Sequence, residues 1–217
     1  MYIKNSNLSP FKIRQLITEW VYNTPARACA TKIRLHRNTV TWWYNRIREQ
    51  IALLPDPEPF EGEVEIDESY FGQKRPWIQG TGTIDRVPIF GIKDRKTGKA
   101  WATVVEGTNH TYLIPIILKM VKPGSKIYSD GFGAYYHLKN LGYQHYVVIH
   151  EYTYVSIFNI HTNGIESFWA YTKNLFHSRK GLPRNRYQLH LKEAIFRFNN
   201  RDPLVLRSMV RKLLTKR

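Results

Sequence analysis

The stretch Leu54-Pro-Asp-Pro-Glu-Pro-Phe60 most constrains how this chain of 217 residues can fold, because every second position in it is a proline. Proline has no backbone N–H and is excluded from helix interiors and central strands. An extended, semi-rigid spacer is therefore expected here. The sequence predicts one domain over residues 1–54, a linker over 55–62, a second domain over 63–203 and a basic tail over 204–217.

The charge of the chain changes sign at this linker. The protein has 33 Lys and Arg against 17 Asp and Glu, a formal net charge of +16. Residues 55–72 nevertheless contain seven acidic residues and no Lys or Arg, so an acidic block separates two basic ones. A strongly basic protein favours a polyanionic partner, because neutralising phosphates releases the counterions condensed on nucleic acid.

The composition favours a cytoplasmic protein without a membrane partner. No apolar run approaches 18 residues, and the longest candidate, Tyr112 to Val121, is interrupted by Pro115 and Lys119. The opening residues have no apolar segment of the kind found in a signal peptide. Cys29 is the single cysteine, which excludes an intramolecular disulfide and limits a metal site to oxygen and imidazole ligands.

Residues 1–54 predict a small all-α domain with a helix-turn-helix. Helical spacing starts after Ser9-Pro10 and again after Thr24-Pro25, and a tight turn at 34–38 leads into a basic, aromatic helix over Thr39 to Arg48. Side chains near the start of that helix would face base edges, and later ones the DNA backbone. The expected base contacts are Arg37, Asn38, Thr39 and Thr41, and the expected backbone contacts are Arg46 and Arg48, beside Trp43. The alternative is a plain three-helix bundle with solvated basic side chains.

The segment after the linker predicts an α/β fold in which helices flank a mixed sheet. Apolar and polar residues alternate over Glu63 to Phe71, which places Asp67 at the centre of a strand, on the same face as Glu63 and Glu65. Further strands are predicted over 87–93, 100–105, 126–130 and 143–150. Helices are predicted over 110–121, 134–141 and 186–200, and over the stretch from His161 to Lys173, whose apolar stripe extends to Phe176. A meander of three strands followed by alternating helices and strands is typical of such a sheet.

Three acidic residues occupy positions from which they can meet: Asp67 in the first strand, Asp130 at the carboxyl end of the fourth, and Glu166 in the helix after the fifth. They converge at one sheet edge if the first and fourth strands are neighbours. Clustered carboxylates repel each other unless they are protonated or bind cations, and hard oxygen ligands suit Mg²⁺ or Mn²⁺. Two such ions can clamp both reacting oxygens of a phosphoryl transfer. Among the nearby acids, Glu68 is expected on the opposite strand face, and Glu63 and Glu65 are expected as solvated charges.

The sequence resembles a bacterial insertion-sequence transposase of the DDE superfamily, of the ISXO type, over nearly its whole length. The motifs that carry the resemblance are Glu65-Ile-Asp-Glu-Ser-Tyr-Phe-Gly72, Tyr128-Ser-Asp-Gly-Phe-Gly-Ala-Tyr135 and His161-Thr-Asn-Gly-Ile-Glu-Ser-Phe-Trp169, with Lys173 beyond the last. The resemblance implies a ribonuclease H-like core in which Asp67, Asp130 and Glu166 bind two Mg²⁺ or Mn²⁺ ions and Lys173 contacts DNA near the reacting phosphate.

The same resemblance implies a function and partners. The expected activity is cleavage of double-stranded DNA at transposon ends, followed by attack of the freed 3′-hydroxyl on target DNA. The expected assembly is a homo-oligomer on paired ends, associated with the nucleoid of a bacterial cell. Cys29 alone cannot form the zinc ribbon that some relatives carry before the helix-turn-helix.

Two questions stay open at the level of sequence. Some relatives have an Asn as the third catalytic residue, so Asn163 is an alternative to Glu166; the anionic oxygen and the seven-residue interval to Lys173 favour Glu166. His161 either positions water or DNA beside that residue or is structural. Two other functions are compatible with the pattern: a catalytically silent DNA-binding regulator, and a metal-dependent nuclease or resolvase with the same core.

Overall fold

A computed structural model of the chain describes residue 3 and residues 6–72, 86–148, 161–179 and 182–215. The described elements, in chain order, are α1 (Pro10–Val21), α2 (Ala26–Ile33), α3 (Arg37–Ala52), β1 (Glu63–Phe71), β2 (Val87–Asp94), β3 (Ala100–Val104), α4 (His110–Met120), β4 (Lys126–Ser129), β5 (Gln144–Val147), α5 (Asn163–His177), α6 (Tyr187–Asn199) and α7 (Pro203–Thr215). Short 3-10 turns lie at Gly133–Tyr135, Lys139–Leu141 and Arg184–Arg186. The predicted helix over 134–141 is thus two separate turns, and residues 149 and 150 of the last predicted strand lie outside the described residues.

The chain divides into two compact units, and the first is discontinuous. It comprises Met1–Pro55 together with Lys192–Arg217, whereas the second comprises Asp56–Leu191. The first boundary between the units falls at the start of the proline-rich stretch, and the second falls inside α6.

Local features of the chain mark the starts of α1 and α3 and the end of α2. The Ser9 side chain accepts a hydrogen bond from the backbone N–H of Lys12, and Pro10 occupies the first turn of α1. Helix α2 ends at Arg34, whose φ of 52° is left-handed. Helix α3 starts at Arg37, two residues before the predicted start, because the His36 ring accepts a hydrogen bond from the N–H of Asn38 at 3.2 Å.

The segment predicted as a basic tail instead forms helix α7. Its apolar residues Leu206, Val210, Leu213 and Leu214 are buried and join the hydrophobic core that α1, α2 and α3 form. Its basic residues Arg207, Arg211 and Lys212 are exposed. The helix is therefore amphipathic, and apolar residues at steps of three and four are the signal for it that the basic composition obscures.

A buried charge network also ties α6 into the first unit. Glu193 is fully buried and accepts hydrogen bonds from Arg48 Nε at 2.6 Å and Arg197 Nε at 2.8 Å. Arg197 also donates to the carbonyl oxygens of Trp20 and Val21 and stacks 3.5 Å above the Trp20 ring. The predicted DNA contact of Arg48 is thus corrected: its guanidinium is buried in an ion pair and does not face solvent.

The second unit contains a five-stranded sheet in the order β3-β2-β1-β4-β5. Strands β1, β2 and β3 pair antiparallel, and β4 is parallel to both β1 and β5. This mixed sheet with flanking helices confirms the predicted α/β, ribonuclease H-like fold class, and it confirms that the first and fourth strands are neighbours. Glu65 pairs with Tyr128, so the same offset continued by two residues brings Asp67 level with Asp130.

The two faces of β1 are covered by different helices. Val64 and Ile66 point into a core with Leu113 and Ile117 of α4, whereas Glu65 and Asp67 accept hydrogen bonds from α5. The predicted alternation is confirmed, and it directs the acidic face toward α5. In the part of the chain that the structure describes, no helix is long and apolar enough to cross a membrane.

We expect Leu206→Ala to lower the free energy of unfolding by about 2–5 kcal/mol, because it leaves a cavity in the core of the first unit. Leu206 is 4% exposed, whereas Leu204, on the same helix, is 68% exposed. Leu204→Ala is therefore the matched control and should change stability by less than about 0.5 kcal/mol. Urea unfolding followed by tryptophan fluorescence measures both; equal effects would contradict the packing of α7 described here.

Candidate active site

Asp67 lies at the centre of the site, and both of its carboxylate oxygens accept hydrogen bonds. Oδ1 accepts from the backbone N–H of Glu68 at 2.8 Å, and Oδ2 accepts from Trp169 Nε1 of α5 at 2.9 Å. The pKa of Asp67 is raised to about 6, chiefly by burial and also by the negative charges of Asp130 and Glu166, against the two hydrogen bonds that lower it. The three acids predicted from the sequence thus share one electrostatic environment.

A glycine on the neighbouring strand allows Trp169 to reach Asp67. Gly91 of β2 lies directly opposite Asp67 of β1. A Cβ atom on Gly91 would lie 2.6 Å from the Trp169 ring. Any larger residue would therefore displace the indole from the sheet. Phe71 packs edge-on against the same ring, with 6.0 Å between centroids.

Asp130 directly follows β4 and is partly buried. Its Oδ1 accepts a hydrogen bond from the backbone N–H of Phe132 at 3.2 Å, which fixes the start of the turn after the strand. The preceding residue, Ser129, makes a 2.7 Å hydrogen bond with Nε2 of His145 on β5. The turn after β4 and the neighbouring strand β5 therefore hold the chain around Asp130.

Helix α5 carries the other predicted site residues. Glu166 is exposed in its first turn and accepts a hydrogen bond from Thr162 Oγ1 at 3.2 Å. Asn163 is the first residue of the helix and is exposed. Lys173, two turns after Glu166, is exposed with Nζ 6.0 Å from the centre of the Phe71 ring. These side chains all have access to solvent.

Glu65 is buried, which corrects its expected role as a solvated charge. It is 1% exposed, accepts a 2.7 Å hydrogen bond from the backbone N–H of Ile165, and pairs with Arg95 Nε at 3.0 Å. Glu63 does remain partly exposed and pairs with Lys126. Sequence reasoning missed Arg95 entirely; the available signal was that an acid on the covered face of β1 needs a buried cation.

His161 belongs to the same network. Its Nδ1 lies 3.3 Å from Arg95 Nη2 and 3.7 Å from Glu65 Oε1, and its carbonyl oxygen accepts a hydrogen bond from Arg95. Of the two roles open at the level of sequence, these contacts support the structural one.

Glu68 is the acid nearest to Asp67 in sequence, and its environment is unusual. It lies on the opposite strand face, as predicted, where the hydroxyl of the buried Tyr135 donates a hydrogen bond to it. Burial raises the pKa of Glu68 to about 8, opposed by the Tyr135 hydrogen bond and assisted by the charges of Asp67 and Asp130. A second carboxyl group therefore retains a proton near neutral pH beside the predicted triad.

The donor set fits a divalent cation in its chemistry. Carboxylate oxygens are preferred ligands of Mg²⁺ and Mn²⁺, and an added positive charge would stabilise the ionised form of Asp67, whose pKa is raised by burial and by the charges of Asp130 and Glu166. Within the described ranges, however, no three His, Cys, Asp or Glu side chains already form a metal-binding group.

In the first unit, the predicted DNA contacts differ in exposure. Arg37, Asn38 and Thr41 are exposed at the start of α3, and Thr39 and Arg46 are partly buried. The Arg46 guanidinium lies 5.3 Å from the centre of the Trp42 ring. Trp42 is exposed whereas Trp43 is buried.

These features define the class of protein: an α/β domain with acidic residues on β1, directly after its parallel neighbour β4, and on helix α5, which packs against β1, within the motifs by which the sequence resembles transposases. Residues 59–199 match the family model described as "ISXO2-like transposase domain". The chain belongs to this family, which confirms the resemblance.

Two curated relatives agree with the family. An "Uncharacterized transposase-like protein" of Haemophilus influenzae is 34% identical over 104 residues, which cover 48% of this chain and 84% of the relative. An "Uncharacterized protein in transposable element ISH50" of Halobacterium salinarum is 27% identical over 188 residues, covering 78% of this chain and 63% of the relative. The chain thus spans less than two thirds of the second relative.

Similar solved structures include integrases of low sequence identity. The catalytic core domain of BIV integrase has a TM-score of 0.47 at 13% identity, covering 70% of this chain and 99% of that one. A chain of the simian T-cell lymphotropic virus intasome in complex with PP2A regulatory subunit B56 gamma has a TM-score of 0.43 at 14% identity. The match covers 84% of this chain and 67% of that chain. The HTLV-2 integrase catalytic core domain in complex with magnesium has a TM-score of 0.39 at 13% identity. The match covers 64% of this chain and 85% of that chain.

We expect Trp169→Phe to raise the pKa of Asp67 above about 6 in the metal-free protein. The substitution keeps an aromatic ring over Gly91 but removes the N–H that stabilises the ionised carboxylate. NMR titration of the aspartate side-chain carbons measures this pKa. The matched control is Trp101→Phe, which removes the indole hydrogen bond to Asp56 instead. An unchanged or lowered Asp67 pKa in Trp169→Phe would contradict the assignment.

Proposed function

We propose that the protein is a DNA transposase that cuts double-stranded DNA at the ends of its element and joins the freed 3′-hydroxyl to target DNA. One observation carries the proposal beyond family membership: the partly buried Asp67 has its pKa raised by burial and by the charges of Asp130 and Glu166. Acids held together against their own repulsion are typical of sites for divalent cations.

Asp67, Asp130 and Glu166 are proposed to hold two Mg²⁺ or Mn²⁺ ions. When bound, the ions would supply the positive charge that stabilises the attacking and leaving oxygens of phosphoryl transfer. Asn163 remains the alternative third ligand; Glu166 is preferred because its anionic oxygen binds Mg²⁺ more strongly than an amide and because its charge acts on Asp67.

The remaining residues are proposed to hold the DNA. Lys173 is exposed two turns along α5 from Glu166, which supports the proposal that its ammonium group binds a phosphate close to the reacting one. Arg37, Asn38, Thr39, Thr41 and Arg46 of α3 are proposed to bind double-stranded DNA as part of a helix-turn-helix. A homo-oligomer in the bacterial cytoplasm, associated with the nucleoid, would hold two element ends together.

We expect Asp67→Asn, Asp130→Asn and Glu166→Gln each to reduce Mg²⁺-dependent nicking of end-bearing DNA at least about 100-fold, because each removes an anionic ligand that stabilises the transition-state charge. Glu61→Gln is the control, since the exposed Glu61 side chain pairs with Lys122 and has no predicted role in the site. Asn163→Ala is compared with Glu166→Gln to identify the third ligand.

Gel assays of nicking and joining separate the candidate functions. Wild-type nicking without joining identifies a nuclease or resolvase, and binding without nicking identifies a regulator. Full activity after Asp67→Asn would remove the proposed site.

We expect Arg37→Ala to weaken binding of the full-length protein to element ends and to reduce the slope of log affinity against log salt by about one, because it removes one cation from the DNA interface. Arg14→Ala makes the same charge change on the exposed surface of α1 and is the control. Fluorescence anisotropy at several salt concentrations measures both. Equal losses for the two variants would indicate a general charge effect rather than a contact by α3.

A further inference from the structure

A strand residue, rather than a residue of the helix itself, caps the start of α5. The side chain of Thr162, at the cap position, makes no capping hydrogen bond. Instead, Glu65 Oε2 on β1 accepts the backbone N–H of Ile165 at 2.7 Å. A carboxylate at this end of a helix also interacts favourably with the helix dipole. The contact therefore attaches the first turn of α5 to β1.

Arg95 extends this attachment to β4. Its Nε pairs with the other oxygen of Glu65 at 3.0 Å, and its Nη2 donates to the carbonyl oxygen of His161, just before α5. Its guanidinium lies 3.7 Å from the centre of the ring of Tyr128 on β4. Since the Arg95 side chain is only 10% exposed, one buried cation contacts β1, β4 and the approach to α5.

Each contact of this network lies next to one of the three acids in sequence. Glu65 precedes Asp67 by two residues, Tyr128 precedes Asp130 by two, and Ile165 directly precedes Glu166. Two residues along a strand return to the same face, so Glu65 and Asp67 both point toward α5. The network therefore joins the three backbone segments that carry the proposed ligands.

The approach of α5 to Glu65 leaves no free space. A Cβ atom on Gly164 would lie 2.6 Å from Glu65 Oε2 and 2.5 Å from Lys93 Nζ. The lysine tip can move, but the Glu65 carboxylate is held by two hydrogen bonds. The distance between β1 and the first turn of α5 is thus set by direct contact with this carboxylate.

We propose that Glu65 and Arg95 are positioning residues that fix the backbone of Glu166 relative to Asp67 and Asp130, so that only the Glu166 side chain rotates when a divalent cation binds. They are not ligands, because both oxygens of Glu65 are buried and already accept hydrogen bonds. The inference rests on the proposed function, since it assigns Glu166 as the third ligand.

The test compares full-length wild type, Glu65→Gln, Gly164→Ala and the control Glu63→Gln. Glu65→Gln keeps an oxygen for the Ile165 N–H but loses the charge that holds Arg95. Gly164→Ala keeps every charge and displaces the helix. Glu63→Gln removes the other carboxylate near Arg95, at 3.7 Å, which has no described contact with α5. Mn²⁺ binding is titrated by electron paramagnetic resonance, and the Mg²⁺ dependence of nicking is measured beside thermal unfolding.

We expect Glu65→Gln and Gly164→Ala to weaken Mn²⁺ binding about 10-fold or more, as is usual for residues that orient metal ligands. The Mg²⁺ concentration for half-maximal nicking should rise in parallel, while Glu63→Gln should change either value less than about 2-fold. If one of the two variants does not fold, the other still tests the inference. Glu65→Gln disturbs the contact by removing a charge, and Gly164→Ala disturbs the same contact by adding volume.

The other outcomes overturn the inference in distinguishable ways. A lowered unfolding temperature with unchanged Mn²⁺ affinity means that the network only stabilises the fold. Equal losses of Mn²⁺ affinity in Glu65→Gln and Glu63→Gln mean that the total negative charge near Arg95 affects metal binding and that the hydrogen bond from Ile165 to Glu65 does not. A wild type that binds no Mn²⁺, together with Asp67→Asn that nicks normally, overturns the proposed function and this inference together.

Discussion

Burial of carboxylates close to one another, at the centre of β1 and directly after β4, is the constraint on which the second unit depends. Parallel pairing of these strands brings Asp67 level with Asp130, and α5 adds Glu166 to the same environment. Burial and these charges raise the pKa of Asp67 to about 6 and that of Glu68 to about 8. The indole of Trp169 and the hydroxyl of Tyr135 act in the opposite direction by donating hydrogen bonds to the two carboxyl groups. The protein thus tolerates the cluster through a few well-placed donors and through protonation.

Buried ion pairs connect secondary-structure elements in both units. Arg95 and Glu65 connect β1 with the start of α5, and Arg48, Glu193 and Arg197 connect α3, α6 and the end of α1. Burying charges costs desolvation energy, so such pairs add little net stability, although removing one partner is strongly destabilising. These ion pairs fix the relative positions of the elements that they connect. Each guanidinium has several donors in fixed directions and contacts more than one element at once.

The sequence predicted those features that local patterns determine. Alternation of apolar and polar residues over Glu63 to Phe71 predicted the bounds of β1 and the strand face on which Asp67 lies. Turn residues predicted where one strand ends and the next element begins along the chain. The sequence-based prediction was wrong where the environment of a side chain depends on a residue far away in the chain. Glu65 was expected in solvent because nothing near it reveals that α5 covers this face of β1. Arg48 was expected on DNA because its partner Glu193 lies 145 residues away. For α7, the spacing of Leu206, Val210 and Leu213 was a usable signal, but basic residues dominate the composition there.

The discontinuity of the first unit has a consequence for synthesis of the protein. Helices α1, α2 and α3 emerge from the ribosome first, yet their core includes Phe196 of α6 and Leu206, Val210, Leu213 and Leu214 of α7. Until those residues emerge, Arg48 and the apolar surface of the three helices lack their partners. Contacts so distant in sequence form late, because a long loop must close before they contribute. A nascent chain would therefore complete the unit proposed to bind DNA only after the unit proposed to cut it has been made.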